Sequence, residues 1–459
     1  MSPTTGCRTS RAQDRSTAAF LPTIGNVWAI CRTAVFAVCL ATAASGQEPP
    51  DRGPLNQGAP SWLTLGVEDR LRYESQTGIG LRREADDGFL VQRLHLSADI
   101  RPSSKIRFFV QGQDARAVGV SEVIPRGNLK DRLDLRQGFV QIGDAKNWGW
   151  DLTVGRQELI IGSEKLIGVN RWANLPRTWD MARLGLQRGE DRVEVFAASV
   201  VRVHPTDFDE VRAGENVHGI HGQLRSLLPG QLFEPVVLWR TRPRVTDELG
   251  FIADSDIWTY GFRLSDDQDW PWEYELELQG QSGSFGRDDL RAWRMVGLAG
   301  HTWKGRKWQP RLFAEYTFSS GDERRGDGKI GRFDALPARA HRIWGITDQV
   351  GGRNSKILLT GLHLKPSKAW QLELDHYAFW LATPTDDLYR HNGNRYLALP
   401  SDNTAAHIGN EVDVQVDYTW NAYLRVGGGV GRLFSGPVID RYASGASPYL
   451  GFVYMQFRM

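Results

Sequence analysis

From Glu411 to Trp420 the chain reads Glu-Val-Asp-Val-Gln-Val-Asp-Tyr-Thr-Trp, with polar and apolar residues alternating without a break. Side chains on a β-strand point to opposite faces with period two, so this segment has one wet face and one greasy face. A soluble sheet can use such a strand once. Here similar segments recur along the whole chain, and aromatic residues sit at their ends, as Trp420 does. Together these features are the pattern of a transmembrane β-barrel around a wet lumen.

From Trp62 onward the sequence offers eighteen candidate strands, near 62–74, 89–101, 104–115, 133–143, 150–158, 181–189, 191–202, 217–227, 232–241, 256–265, 272–282, 291–303, 308–319, 356–365, 369–380, 409–420, 421–434 and 449–458. Their connections alternate long and short. Tight turns such as Pro102-Ser103-Ser104, Gly305-Arg306 and Lys365-Pro366-Ser367 contrast with loops near 159–180, 320–355 and 381–408. Outer-membrane barrels have short periplasmic turns, long extracellular loops and an even strand number. The expected fold over 62–459 is therefore an all-β, antiparallel up-and-down barrel of about 18 strands. Segment 369–380 supplies a check on dimensions, because Trp370, Leu372, Leu374 and Trp380 share one face. Ten residues at about 3.3 Å, tilted about 40°, rise about 25 Å, the height of a lipid-facing band.

Ahead of the barrel, Ala34-Val35-Phe36-Ala37-Val38-Cys39-Leu40-Ala41 follows Arg32 and is too short to span a bilayer. With small residues after it, the run reads as a secretory signal peptide over 1–46, followed by a periplasmic linker over 47–61. The long stretch before the run leaves the true start site open. The expected destination is the outer membrane of a Gram-negative bacterium. Cys7, Cys31 and Cys39 all precede the expected cleavage site, so the exported chain would have neither a disulfide nor a thiolate metal site. Removing residues 1–46, with four arginines and one aspartate, leaves 52 basic against 53 acidic residues. So balanced a charge names no partner, and selectivity has to come from where the charges stand.

Parity assigns the lumen. Arg70 and Arg72 alternate with Leu71 and Tyr73, and the same rule turns Arg93, Arg107, Arg183 and Arg263 inward. Asp69 breaks the pattern by sharing the face of Leu71. From 272 onward the sign changes, with Glu275 and Glu277 pointing inward, then Asp413 and Asp417. Arginines gather on the first ten strands and carboxylates on strands eleven to sixteen, which a closed sheet sets on opposite walls. Free unlike charges across a pore give a transverse field that favours charged solutes. The same residues paired within the wall would only keep the lumen hydrated, and parity leaves both readings open. The loop after the fifth strand carries Arg156, Glu158, Lys165, Arg171, Arg177 and Asp180. It is expected either to fold inward and narrow the pore or to brace the barrel through paired charges. Arg156 has the parity of outward Leu152 and Val154, which requires a place above the lipid band or a bulge at Gly155.

No HExxH spacing, nucleophile elbow, Walker sequence or dinucleotide fingerprint is present, nor a concentrated basic patch for nucleic acid. Asp322, Asp327 and Gly328 have the wrong spacing for a calcium loop, so 320–355 is expected to be a solvated loop. The expectation is no catalytic residue, no metal and no cofactor.

Val154-Gly155-Arg156-Gln157-Glu158, continuing through Lys165-Leu166-Ile167-Gly168, Trp172-Ala173-Asn174 and Arg177-Thr178-Trp179-Asp180, resembles the alginate-export family of outer-membrane proteins. Phe318-Ser319-Ser320-Gly321-Asp322, Phe333-Asp334-Ala335-Leu336-Pro337 with His341, and His407-Ile408-Gly409-Asn410-Glu411 are similar to it too. Lys165 and Trp179 stand where that family usually has Arg and Phe. The resemblance covers nearly all of the chain after Trp62. It implies a channel whose loops fold over an arginine-rich constriction and which passes an anionic polysaccharide outward by passive diffusion. Its partners would be that polymer or a small polar solute, outer-membrane lipid and periplasmic export proteins. Guanidinium suits the task, since it grips carboxylates in bidentate fashion and stays charged when buried. An uptake porin for small organic acids or amino acids remains the alternative within transport. An outer-membrane enzyme or a surface adhesin is the alternative outside it.

Overall fold

A computed structural model describes residues 53–122, 129–339 and 341–459. The signal peptide expected over 1–46 lies outside the described residues. The alternating segments form β1 (Leu63–Thr77), β2 (Asp87–Ser103), β3 (Ile106–Val118), β4 (Asp131–Asp144), β5 (Trp150–Gln157), β6 (Trp179–Arg188) and β7 (Asp191–Arg202). They continue as β8 (Glu210–Gln223), β9 (Gln231–Thr246), β10 (Ile252–Asp266), β11 (Trp272–Phe285), β12 (Asp288–Thr302) and β13 (Arg311–Ser319). After the short β14 (Lys329–Ile330) come β15 (Ser355–Leu364), β16 (Trp370–Leu381), the short pair β17 (Leu388–Tyr389) and β18 (Arg395–Leu397), β19 (His407–Thr419), β20 (Leu424–Ser435) and β21 (Tyr449–Arg458).

Leaving out β14, β17 and β18, eighteen strands form one antiparallel wall, each paired with its neighbours in chain order. The last strand returns to the first, with Glu68 opposite Arg458 and Thr77 opposite Tyr449, so the barrel is closed. Closure removes the free edges that an open sheet of this size would expose. At the bottom of β1, where β21 has run out, Asn56 covers the remaining edge: its side chain accepts from Leu65 N at 2.7 Å and donates to Leu65 O at 2.9 Å.

Outward parity is apolar and exposed at Leu96, Val110, Val154, Leu278, Leu374, Val414 and Val453. Asp69, the exception to the pattern, finds its partner on the same outer face, where Gln92 Nε2 donates to its Oδ1 at 3.1 Å. The alternation of loop lengths fails at two places. At the long-loop end β9 and β10 are joined by residues 247–251 alone, fewer than the 224–230 of the short-turn connection before them, so most of the loop expected near 242–255 is strand. β11 and β12 meet at the long-loop end through Gly286 and Arg287 alone, with Gly286 in the left-handed region at φ 65°. Their ladder runs all the way from Trp272–His301 to Phe285–Asp288, so no length is left for a loop. β8 likewise starts at Glu210 rather than near 217, its ladder with β7 carried past a register shift between Ser199 and Val201.

The expectation of a solvated loop over 320–355 holds for the exposed stretch 323–329 and is overturned beyond it. Phe333, Leu336, Ile343, Trp344, Ile346 and Val350 are buried inside the barrel. They are apolar enough to leave water, and the upper wall meets them with apolar inward residues of its own. One core joins Leu159, Ile161, Leu166 and Ile167 of the loop after β5 to Val217, Leu238, Ile257 and Leu290 of the wall, with Phe333 and Leu336 alongside. A second joins Ile343, Trp344 and Val350 to Ile357, Phe379, Ile408 and Leu433. Burying one such side chain contributes about 1.5–3 kcal/mol, so the loops are held as firmly as ordinary core.

Candidate functional site

Two inner segments, 158–178 and the described residues 331–339 and 341–350, cross the lumen and bind each other. Gly168 N donates to Pro337 O at 3.0 Å and Arg339 N to Glu164 O at 2.9 Å. Arg177 adds bonds from one guanidinium nitrogen to both Gly168 O, at 2.9 Å, and Pro337 O, at 2.7 Å. Burial brings the Arg177 pKa down to about 10, which leaves it charged at neutral pH.

The wall arginines named from parity hold the first segment by its main chain. Arg70 donates to Arg171 O and Trp172 O, both at 2.9 Å, and Arg93 to Arg171 O at 3.0 Å and Ala173 O at 2.9 Å. Arg72 donates to Trp172 O at 2.5 Å, and its guanidinium carbon lies 3.6 Å from the centre of the indole. The same indole stacks on His341 of the other segment at 3.9 Å, with an angle of 4° between the planes. Trp172 thus joins wall, first segment and second segment.

The carboxylates of the facing arc meet the segments in the complementary way. Lys165 reaches Glu275 at 2.5 Å and Glu315 at 2.8 Å, while Ser163 donates to Glu277 at 2.9 Å. Burial alone would lower the Lys165 pKa, but Glu315, Glu275 and Glu277 raise it, so the ammonium stays charged. Asp413 accepts from Ile346 N at 3.0 Å, and Glu411 from Thr347 N at 2.9 Å. β20 makes room for this with inward glycines. A Cβ at Gly431 would lie 2.4 Å from Ile346 Cγ1 and 2.4 Å from Asp413 Oδ1.

The remaining residues singled out in the sequence pair elsewhere. Arg263 bridges Glu234 and Glu275, Arg107 grips Asp99 through two bonds of 2.9 and 3.0 Å, and Arg183 lies 3.8 Å from Glu194. Asp417 pairs with Arg425 at 2.8 Å and accepts from Tyr454. Arg156 ends β5 opposite Asp180, with bonds of 2.8 and 3.1 Å. The β4–β5 ladder runs through Gly155 without a register shift, so Arg156 sits at the strand end and not on a bulge. Glu158 joins Arg136 at 2.5 Å to Arg171 at 2.6 Å.

Two cavities lie on either side of the crossing segments. Toward the long loops is one of 1010 Å³, lined by nine arginines and four carboxylates. Three of its arginines converge behind the lining on buried Asp334, which accepts from Arg242 at 2.8 Å, Arg240 at 3.2 Å and also Arg353. Burial alone would raise the Asp334 pKa. Arg242, Arg353 and Arg240 more than offset that and hold it well below the usual carboxylate range. Toward the short turns is a cavity of 310 Å³, where Arg70, Arg72, Arg171, Arg339, Arg342 and Arg425 face a single carboxylate, Asp417, beside Trp172, Phe452 and Tyr454. Asn170 and Ala338 line the outer cavity, whereas Arg171 and Arg339 line the inner one. The partition is therefore main chain at these two points, with Glu164 lying 3.6 Å from both Arg171 and Arg339.

Parity did not single out Arg240, Arg242, Asp334, Arg339, Arg342 or Arg353. Asp334 and His341 did stand in the sequence blocks that carry the family resemblance. Among the described residues, His363, Glu373 and Asp375, or Asp131, Asp134 and Asp209, lie close enough to share a metal ion. The first group already has cationic neighbours in Arg311, 3.2 Å from His363 Nδ1, and in Arg342, paired with Glu373.

The model of the family described as "Alginate export" matches residues 61–453. No curated protein matches the chain. Among solved structures it is similar to OpdO of Pseudomonas aeruginosa, with a TM-score of 0.57 at 12% identity over 86% of this chain and 97% of that one. It is also similar to the outer-membrane protein OprD of Pseudomonas aeruginosa, with a TM-score of 0.56 at 10% identity over 86% and 93% of the two chains. At such identities the likeness is one of fold. With the sequence match over nearly the whole barrel, the chain belongs to the alginate-export family and is an outer-membrane porin channel.

Proposed function

We propose that the channel passes anionic saccharides, above all short uronate-bearing chains, by passive diffusion through its two arginine-lined cavities. One observation carries this reading: in the inner cavity six arginines face one carboxylate. Arg70 spends its hydrogen bonds there on main-chain carbonyls, which bring no net charge, whereas Arg72 also pairs with Glu74 at 2.6 Å. The positive potential of Arg70 is left for a solute, and guanidinium pairs with a uronate carboxylate in bidentate geometry. The path would run past Arg177 and the Asp334 knot, across the partition, and out beside Trp172.

The partition favours a second reading, an uptake channel for small organic acids or amino acids. A segment crossing stitched by main-chain hydrogen bonds and a 310 Å³ inner chamber suit a small anion better than a polymer. Sites for small molecules typically have about 300–1,000 Å³.

Planar-bilayer recording tests both. Reversal potentials across a salt gradient should show anion selectivity, growing as salt is lowered because screening acts over about 8–10 Å at physiological strength. Replacing Arg70, Arg93, Arg107 and Arg263 by Ser should shift permeability toward cations. Replacing Glu275, Glu277, Asp413 and Asp417 by their amides should shift it the other way. Oligouronates should interrupt the current and neutral oligosaccharides of equal length should not. Cation selectivity in the unaltered channel would refute the proposal. Current carried by small organic acids with no response to oligouronates would select the second reading.

A further inference from the structure

The ten lysines of this arginine-rich chain are not spread evenly. Six of them, Lys105, Lys146, Lys304, Lys307, Lys365 and Lys368, stand on the short turns at the periplasmic end. Four of these fall on two adjacent turns, β12–β13 and β15–β16, which are tied together by Lys365 N donating to Trp308 O at 2.7 Å. Arg306 lies between them. Lys304 is paired with Asp269, but Arg306, Lys307, Lys365 and Lys368 are exposed and have no carboxylate within ion-pair distance among the described residues.

Other exposed cations among the described residues, such as Arg188 and Lys329, also lack an ion pair. What distinguishes these four is what flanks them. Trp303, Trp308 and Trp370 flank the two turns and are 40%, 45% and 43% exposed. Exposed Trp at the end of a membrane strand marks headgroup level. Lysine, a flexible point charge, can lay its stem along apolar surface and raise its ammonium to a phosphate. Within the lumen, Lys165 apart, the cations that meet fixed carbonyls and carboxylates are arginines, where fork geometry matters.

We propose that the periplasmic rim formed by the β12–β13 and β15–β16 turns docks the headgroups of anionic phospholipids in the inner leaflet of the outer membrane. The three indoles sit between the acyl chains and the headgroups, and the four cations receive the phosphates. The rim thereby fixes the height and tilt of the barrel on one side.

The test is native mass spectrometry of the purified, folded full-length barrel offered phosphatidylglycerol or phosphatidylethanolamine at equal mole fraction. The unaltered protein should retain phosphatidylglycerol in preference. The pair variants R306Q/K307Q and K365Q/K368Q should each weaken that preference, by on the order of fivefold per cation removed, since each surface cation contributes on that scale at an anionic leaflet. The substituted side chains are exposed, and heat-modifiable gel mobility confirms that each variant is folded. Lys329→Gln, at the opposite end, should change nothing. Equal retention of both lipids by the unaltered protein would overturn the proposal, as would an undiminished preference in both pair variants. Loss of co-sedimentation with peptidoglycan sacculi, with lipid retention intact, would assign the rim to a cell-wall polymer instead.

Discussion

The wall of β1 and β2 and the wall of β11 to β13 do the same job with opposite chemistry. In the first, Arg70, Arg72 and Arg93 donate to the carbonyls of residues 171–173. In the second, Glu275, Glu277 and Glu315 receive Lys165 and Ser163 from the same crossing segment. The difference lies in what each wall has left over. Arg72 and Arg93 are also paired, with Glu74 at 2.6 Å and Glu68 at 2.8 Å, but Arg70, bonded to carbonyls, keeps its full charge, whereas a carboxylate bonded to an ammonium loses most of its field at a distance. A lumen whose two arcs look balanced in the sequence is therefore lopsided at Arg70, the wall charge that a solute meets.

The most severe way to break this comparison is to remove what both walls hold. Deleting 163–176 takes away Lys165, Leu166, Ile167 and Trp172 and opens the partition. Single-channel conductance should rise severalfold, with heat-modifiable mobility showing that the barrel still closes. Unchanged conductance in a folded barrel would mean that the segment braces the wall without limiting flow.

Lys165→Met is the next largest test and separates the two walls. The lysine is 9% exposed between carboxylates that are 9% and 7% exposed. Leaving buried charges without their partner costs about 3–5 kcal/mol. Urea unfolding of the detergent-solubilised barrel should show a loss of that size, and adding Glu315→Gln should recover part of it. Glu315 is the cleaner partner to change, because Glu275 also holds Arg263. A loss below about 1 kcal/mol would mean that water reaches the site and that the pair behaves like one on the surface.

Much of this was legible in the sequence, and the limit has a physical origin. Period-two alternation places β1, β16 and β19 to within a few residues, because each has one lipid face and one polar face. Parity also turns Arg70, Arg93 and Glu275 inward. It is silent where both faces are apolar. Val236-Val237-Leu238-Trp239 in β9 shows no alternation, yet Val236 and Leu238 point inward onto the crossing segment, while Val237 is 41% exposed. The rule that inward means polar assumes water in the lumen, and here loops replace water in the upper half. The same assumption made 320–355 look solvated. What a parity argument cannot supply is the second partner: that Arg70 meets a carbonyl and Arg107 a carboxylate depends on residues 101 positions away in one case and 8 in the other.

That last contrast gives the smallest and sharpest test. Arg107 lies toward the periplasmic end of β3, 28% exposed, against an Asp99 that is 20% exposed and also pairs with Arg101 at 3.1 Å. Replacing Arg107 by Ser leaves Asp99 with a partner, so stability should fall by no more than about 0.2–1 kcal/mol, as for other solvent-accessible pairs. Its charge is already matched, so reversal potentials should scarcely move. Arg70→Ser removes a charge matched only by carbonyls, together with charge-assisted hydrogen bonds that contribute about 1.5–3 kcal/mol. It should shift selectivity measurably toward cations. If the two single substitutions moved the reversal potential equally, pairing with a carboxylate would not screen a wall arginine from the solute, and the lopsided lumen would have to be given up.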